Sequence, residues 1–171
     1  MLSFLVPALA AAFAGLVLFG AIRDLISYTI PNWISLAIIG LFPVAALSAG
    51  MSLPTVGLHL GIGVAVLVAA MAMFALRWIG GGDAKMFAAA ALWMGWPMVV
   101  DFVLWTAISG GVLAAALMSL RQPAFRPMVL SGPPWLVKLS EPGGAAPYGV
   151  AIAVGALAAL PQSPLLSGLA L

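Results

Sequence analysis

"GIGVAVLVAAMAMFALRWIGGGDAKMF", Gly61 to Phe87, holds the two signals from which the fold is read. The stretch opens on an uncharged apolar run that ends at Arg77, and "GGGDAKMF" then crowds three glycines, an aspartate and a lysine together before the chain turns apolar again. In lipid every backbone polar group must be bonded within the segment, so a long unbroken apolar run reads as a helix. An ionised carboxylate beside such runs is costly, and intramembrane acids are conspicuous for that reason.

The rest of the chain repeats the apolar pattern. Hydrophobic residues make up 65 % of the 171 residues and charged ones 6 %, and the mean hydropathy is +1.24. A soluble domain of that composition would present one large apolar surface. The composition therefore indicates an integral membrane protein. A bilayer core takes about 20 apolar residues per helix. The runs near that length are Leu2 to Ile22, Trp33 to Ala49, Thr55 to Trp78, Ala84 to Val100, Phe102 to Leu120 and Tyr148 to Leu169. The expectation is an all-α, polytopic bundle of about six transmembrane helices, forming a single membrane-embedded domain over residues 1–171. Strand-like alternation and internal repeats are not evident.

The first run is not read as a cleaved secretory signal, because its basic residue, Arg23, follows the apolar stretch instead of preceding it. With six helices, the connections 1–2, 3–4 and 5–6 share one side. Arg23, Arg77, Lys85, Arg121, Arg126 and Lys138 all fall in or beside those connections. The positive-inside rule makes that side cytoplasmic and both termini extracytoplasmic. It also accounts for the basic pI without nucleic acid as a partner; membrane lipid is the expected surround. With no cysteine and one histidine, thiol nucleophiles, Cys-ligated zinc and His-rich metal sites are not expected, and no cofactor is called for.

Two acids remain to be explained, both at the cytoplasmic boundary. In "RDLISYTIPNW", Arg23 to Trp33, Asp24 sits where an apolar helix ends, a position at which the helix dipole disfavours negative charge. Pro31 and Asn32 suit the start of the next helix, proline by lacking an orphaned N–H and asparagine as a cap. In the second stretch the glycines allow close backbone approach. Asp83 falls at the cap or first turn of a short alanine-rich helix that can pack tightly. Taken alone, Asp24 fits a loop acid neutralised by Arg23, and Asp83 fits a simple helix cap. Taken together, they fit a pair of carboxylates sharing one proton, one acting as base on water while the other polarises a carbonyl. Lys85 lies two residues past Asp83, roughly 200° around a helix, and is expected to face away from the pair.

At these residues the sequence resembles the type IV prepilin peptidases. Asp24 followed by "TIPN", then "GGGDAK", then "PYGVAIAVG" from Pro147, is most similar to the short CpaA/TadV-like branch associated with Flp pili. That family is grouped with the intramembrane aspartic proteases sharing a Gly-x-Gly-Asp motif. The resemblance implies Asp24 and Asp83 as the catalytic pair, with Gly80 and Gly82 as the fixed motif glycines. It implies a prepilin or pseudopilin substrate, whose basic leader is cut off at the cytoplasmic face of the bacterial inner membrane. Larger relatives carry a Cys-rich insertion and methylate the new N-terminus; without that insertion, methyl transfer is not expected here.

Other residues receive plainer readings. His59 is expected at the outer interface, Asp101 in an outer loop that ends helix 4 after Pro97, and Trp33, Trp78, Trp96 and Trp135 as interfacial anchors. The Pro- and Gly-rich stretch from Gln122 to Ala146 reads either as a headgroup-binding linker or as a flap over the acids. Pro147, Tyr148 and Gly149 mark a substrate-side loop in the second case. A small ion- or proton-coupled transporter using Asp24 and Asp83 is the competing class.

Overall fold

The computed structural model of the protein describes residues 2–141, 144 and 146–167. The chain termini lie outside these residues, and the last expected span, Tyr148 to Leu169, is one α-helix only as far as Ala159: a 3-10 turn over Leu160–Gln162 and an extended Ser163 break it before Pro164. Among the described residues the secondary structure is entirely helical. The principal helices are α1 (Leu2–Ser27), α2 (Asn32–Ser48), α3 (Leu53–Ala75), α4 (Gly81–Met94) and α5 (Met98–Leu120). The short α6 (Arg126–Leu130) and α7 (Pro134–Leu139) follow, then α8 (Tyr148–Ala159) and α9 (Pro164–Ser167). Phe4–Ser27, Leu53–Ala75 and Met98–Leu120 are long and apolar enough to cross a membrane. Helices α2 and α8 are apolar but shorter.

Helix α4 is the hub. It packs against α2, α3, α5 and α8, and α8 in turn lies against α1 and α5. Its run of Ala88, Ala89, Ala90 and Ala91 is buried, which is how one short helix can touch so many others: small side chains let backbones approach. At its C-terminal end a polar-edged aromatic cluster locks four helices together. Phe13 of α1 stacks on Trp93 with ring centroids 4.6 Å apart, and the indole Nε1–H donates to the Ile38 carbonyl at 2.9 Å. His59 stacks on Phe42, and its Nδ1 lies 2.8 Å from the Leu92 carbonyl oxygen.

Several sequence expectations are corrected here. His59 is not interfacial but 1 % exposed; its ring finds a carbonyl partner and an aromatic face, which satisfies a buried imidazole. Helix α4 ends at Met94 and not near Val100, because Gly95 takes a positive φ of 65° and Pro97 has no N–H with which to continue a ladder. Asp101 is consequently in the first turn of α5, where the dipole favours an acid, and not in a loop. Helix α1 runs on through Asp24 to Ser27, since nothing in "RDLIS" breaks a helix; hydropathy marks the apolar run, not the last hydrogen bond. Trp33, Trp78, Trp96 and Trp135 are all exposed, at or near helix ends.

Candidate active site

The two acids reach one place from different helices. Asp24 is on the last turn of α1 and Asp83 is the third residue of α4. Both are buried, at 5 % and 8 % exposure, in a chain whose other two acids are not. Together they line a cavity of about 360 Å³, shared with Tyr28, Arg77, Gly80 and Tyr148. A smaller adjoining space of about 170 Å³ is lined by the same two acids and by Ile30 and the three motif glycines.

Each carboxylate has one oxygen on a backbone amide. The Gly149 N–H donates to Asp24 Oδ2 at 2.8 Å, and the Gly80 N–H donates to Asp83 Oδ2 at 3.2 Å. The second bond ties Asp83, at the third helical position, back to the N-cap residue Gly80 and so closes the first turn of α4. Asp83 Oδ1 is buried without a hydrogen-bond partner among the described residues, and such unpaired buried oxygens are uncommon.

The Gly149 bond resolves what is odd about Asp24. At the end of α1 its charge opposes that helix's dipole, yet Gly149 is the second residue of α8, where amides lack intrahelical acceptors and the dipole favours an anion. One contact satisfies both ends. The sequence contains both halves of this pairing, an acid at one helix C-terminus and "PYG" at another's N-terminus, but not the fact that they meet.

Close approach fixes the pair. A Cβ on Gly82 would stand 3.1 Å from Ile30 Cβ and 3.3 Å from the Ile30 backbone N and O, so glycine lets the start of α4 press against the turn after α1. A Cβ on Gly149 would stand 2.9 Å from Asp24 Cβ and 3.0 Å from its Oδ2. These two contacts draw α4 and α8 onto the segment that carries Asp24.

The remaining motif residues divide. Tyr148 and Gly149 are at the site, and Pro147 precedes α8 as its cap residue. Pro31 stands at the N-cap of α2, where Asn was expected; Asn32 is the first helical residue and makes no cap bond. Its Oδ1 instead accepts from Lys85 Nζ at 3.0 Å. Lys85 therefore faces away from the acids, as its angular offset requires. It lies at a separate groove of about 430 Å³ between α2, α3 and α4, lined mostly by apolar side chains such as Leu36, Leu60 and Leu67. That groove is roomier than the acid cavity but holds no acid, so the chemistry points to the smaller space.

Tyr28 escapes a sequence reading. It is one of only two non-glycine residues with positive φ among those described, at 54°; the other is Arg77 at 61°. Both line the acid cavity. Uncommon backbone conformations at non-glycine residues concentrate at functional sites. Lys138 of α7 places Nζ 4.7 Å from the centre of the Tyr28 ring. The connection that carries it is tied down by Arg121, whose Nε donates to the Leu139 carbonyl at 3.2 Å and Nη2 to that of Gly144 at 2.8 Å. Burial pushes the Tyr28 phenol above its ordinary range, with the Arg121 charge pulling the other way and those of Asp24 and Glu141 adding to the rise.

An all-helical, apolar bundle with two buried carboxylates gathered at one cavity is the architecture of a membrane-embedded protein with a polar site. Residues 11–115, from within α1 to within α5, match the type IV leader peptidase family, and the chain belongs to that family. The matched segment contains Asp24 and Asp83 and stops short of α8. No curated protein and no solved structure matches the chain. Membership makes the protein a peptidase of membrane character.

Proposed function

We propose that the protein is an aspartic endopeptidase of the bacterial inner membrane that removes the basic leader from Flp-type prepilins at the cytoplasmic face. The observation that carries this reading is the burial of Asp24 and Asp83, from two helices, against one cavity, each steadied by an amide. Two such carboxylates sharing one proton suffice for peptide hydrolysis. One takes a proton from water as the water oxygen attacks the scissile carbonyl carbon, while the protonated partner hydrogen-bonds the carbonyl oxygen. Collapse of the tetrahedral intermediate breaks the C–N bond, delivers a proton to the leaving nitrogen and leaves the pair with one proton again. Gly80 and Gly82 keep the acids in place, and methyl transfer is not part of the activity.

In this reading α1 to α5 and α8 cross the bilayer and both termini are extracytoplasmic. The support is the placement of all six basic residues in or beside connections on one side. Reporters fused at residues 1 and 171 are expected to read extracytoplasmic, and one within 122–141 cytoplasmic; a cytoplasmic C-terminus breaks the six-span arrangement.

The chemistry is tested with purified protein in detergent and a Flp-type prepilin. Asp24→Asn and Asp83→Asn are each expected to abolish cleavage while the protein still accumulates in the membrane, since Asn keeps the shape but cannot take part in proton sharing. Near wild-type cleavage by either variant removes that residue from the mechanism. A protein that cuts no prepilin but carries Asp83-dependent proton or ion flux in liposomes is a transporter instead.

A further inference from the structure

Tyr28 has a hydroxyl that its own fold does not use. The residue directly follows α1, and its N–H donates back to the Asp24 carbonyl at 2.8 Å. This is a helix-ending turn of the kind that usually employs glycine or asparagine at the left-handed position. A tyrosine there is held in an unfavourable conformation, and strain of this kind gathers at functional sites. Tyr28 lines both spaces that hold Asp24 and Asp83. Its hydroxyl is buried and has no hydrogen-bond partner among the described residues. Buried polar groups are overwhelmingly paired, and an orphan in a catalytic cavity is a donor in waiting. Lys138 over the ring face fixes the ring without engaging the hydroxyl.

Resting on the leader-peptidase reading, we propose that Tyr28 is a third catalytic residue, whose hydroxyl donates a hydrogen bond to the scissile carbonyl oxygen as it gains negative charge. The acid pair exchanges protons with water and the leaving amine; Tyr28 forms no covalent bond and keeps its proton throughout. The raised phenol range fits a group that remains a donor at working pH. A donor aimed at a developing oxyanion is worth more in the transition state than in the ground state, so it raises kcat more than it tightens substrate binding.

The test is Tyr28→Phe in the full chain, assayed beside the wild type on a Flp-type prepilin. Loss of one oxyanion donor is expected to lower kcat by about 100-fold, with KM within about twofold. A peptide analogue with a hydroxyethylene group at the scissile position is expected to bind more weakly to the variant, while the uncut leader peptide binds equally. Thermal stability is the readout that separates function from structure. Removing an unpaired buried hydroxyl is expected to leave the midpoint unchanged or raise it, whereas a structural hydroxyl would lower it. Wild-type cleavage with an unchanged kcat in Tyr28→Phe overturns the inference alone, as does a lower kcat accompanied by a lower midpoint, or a change confined to KM. A wild type that cuts no prepilin overturns the leader-peptidase reading and this inference with it.

Discussion

Helices α3 and α4 are neighbours in the chain and opposites in construction. Helix α3 has 23 residues, of which only His59 and Ala70 are buried; Leu53, Val64 and Val68 stand open on its surface. Helix α4 has 14 residues, and ten of them are buried, Asp83 included. At 1.5 Å per residue α4 rises only about 21 Å, against about 35 Å for α3. The long helix presents apolar surface outward and needs little from its neighbours. The short one is enclosed by them, and its polar N-terminus opens into the acid cavity. Apolarity alone does not distinguish these roles: lipid and protein interior both accept leucine, but only a crowded interior demands alanine and glycine.

The largest effect expected from disturbing this contrast lies where α8 meets Asp24, the contact that completes the enclosed side. In Gly149→Val a Cβ at 2.9 Å from Asp24 Cβ carries two further methyl groups, so the start of α8 must shift and the 2.8 Å amide bond to Asp24 is lost. A displacement of about 1 Å at a catalytic group costs on the order of 100-fold in rate. Prepilin cleavage by the variant is expected to fall by at least that factor, with membrane accumulation retained. Cleavage within about threefold of wild type would mean that α8 does not position Asp24.

The contrast also explains what could be read without a structure. Helix α3 was legible within a few residues at each end, since an uninterrupted apolar run is itself the signal, and the Ser52 cap that starts it early is a local feature. The end of α4 was not. "LWMGWPMVVDF" stays apolar through the turn, so hydropathy runs past Gly95, and Asp101 looks like the end of one helix when it belongs to the start of the next. Asp24 and Asp83 were legible as candidates because charge is scarce and each adjoins a long apolar run. Their partners were not, because Gly149 lies 125 residues from Asp24 and a backbone amide leaves no mark in a sequence. Tyr28 was hidden for a related reason: a left-handed φ at tyrosine is a property of the fold around it. His59 was misplaced because its partner is again a carbonyl on another helix.

The smallest effects test the comparison most directly, by making similar additions on its two sides. Ala90 of α4 is 0 % exposed, and its surroundings are filled by neighbouring helices, so Ala90→Leu forces methylenes into a packed interior. Overpacking of this kind costs about 1–3 kcal/mol, and the thermal midpoint in detergent is expected to fall accordingly. Val68 of α3 is 65 % exposed, and Val68→Leu adds a methylene to a surface that already accepts valine from any angle. Changes at such positions stay within about 0.5 kcal/mol, so the midpoint is expected to hold. The pair separates enclosure from mere apolarity, because both substitutions enlarge an aliphatic side chain in a helix and neither adds a polar atom. Equal midpoints for Ala90→Leu and wild type would show that α4 has room its neighbours do not fill. A marked drop for Val68→Leu would show that the exposed face of α3 is covered in the working protein, and the division between an outward-facing helix and an enclosed one would have to be redrawn.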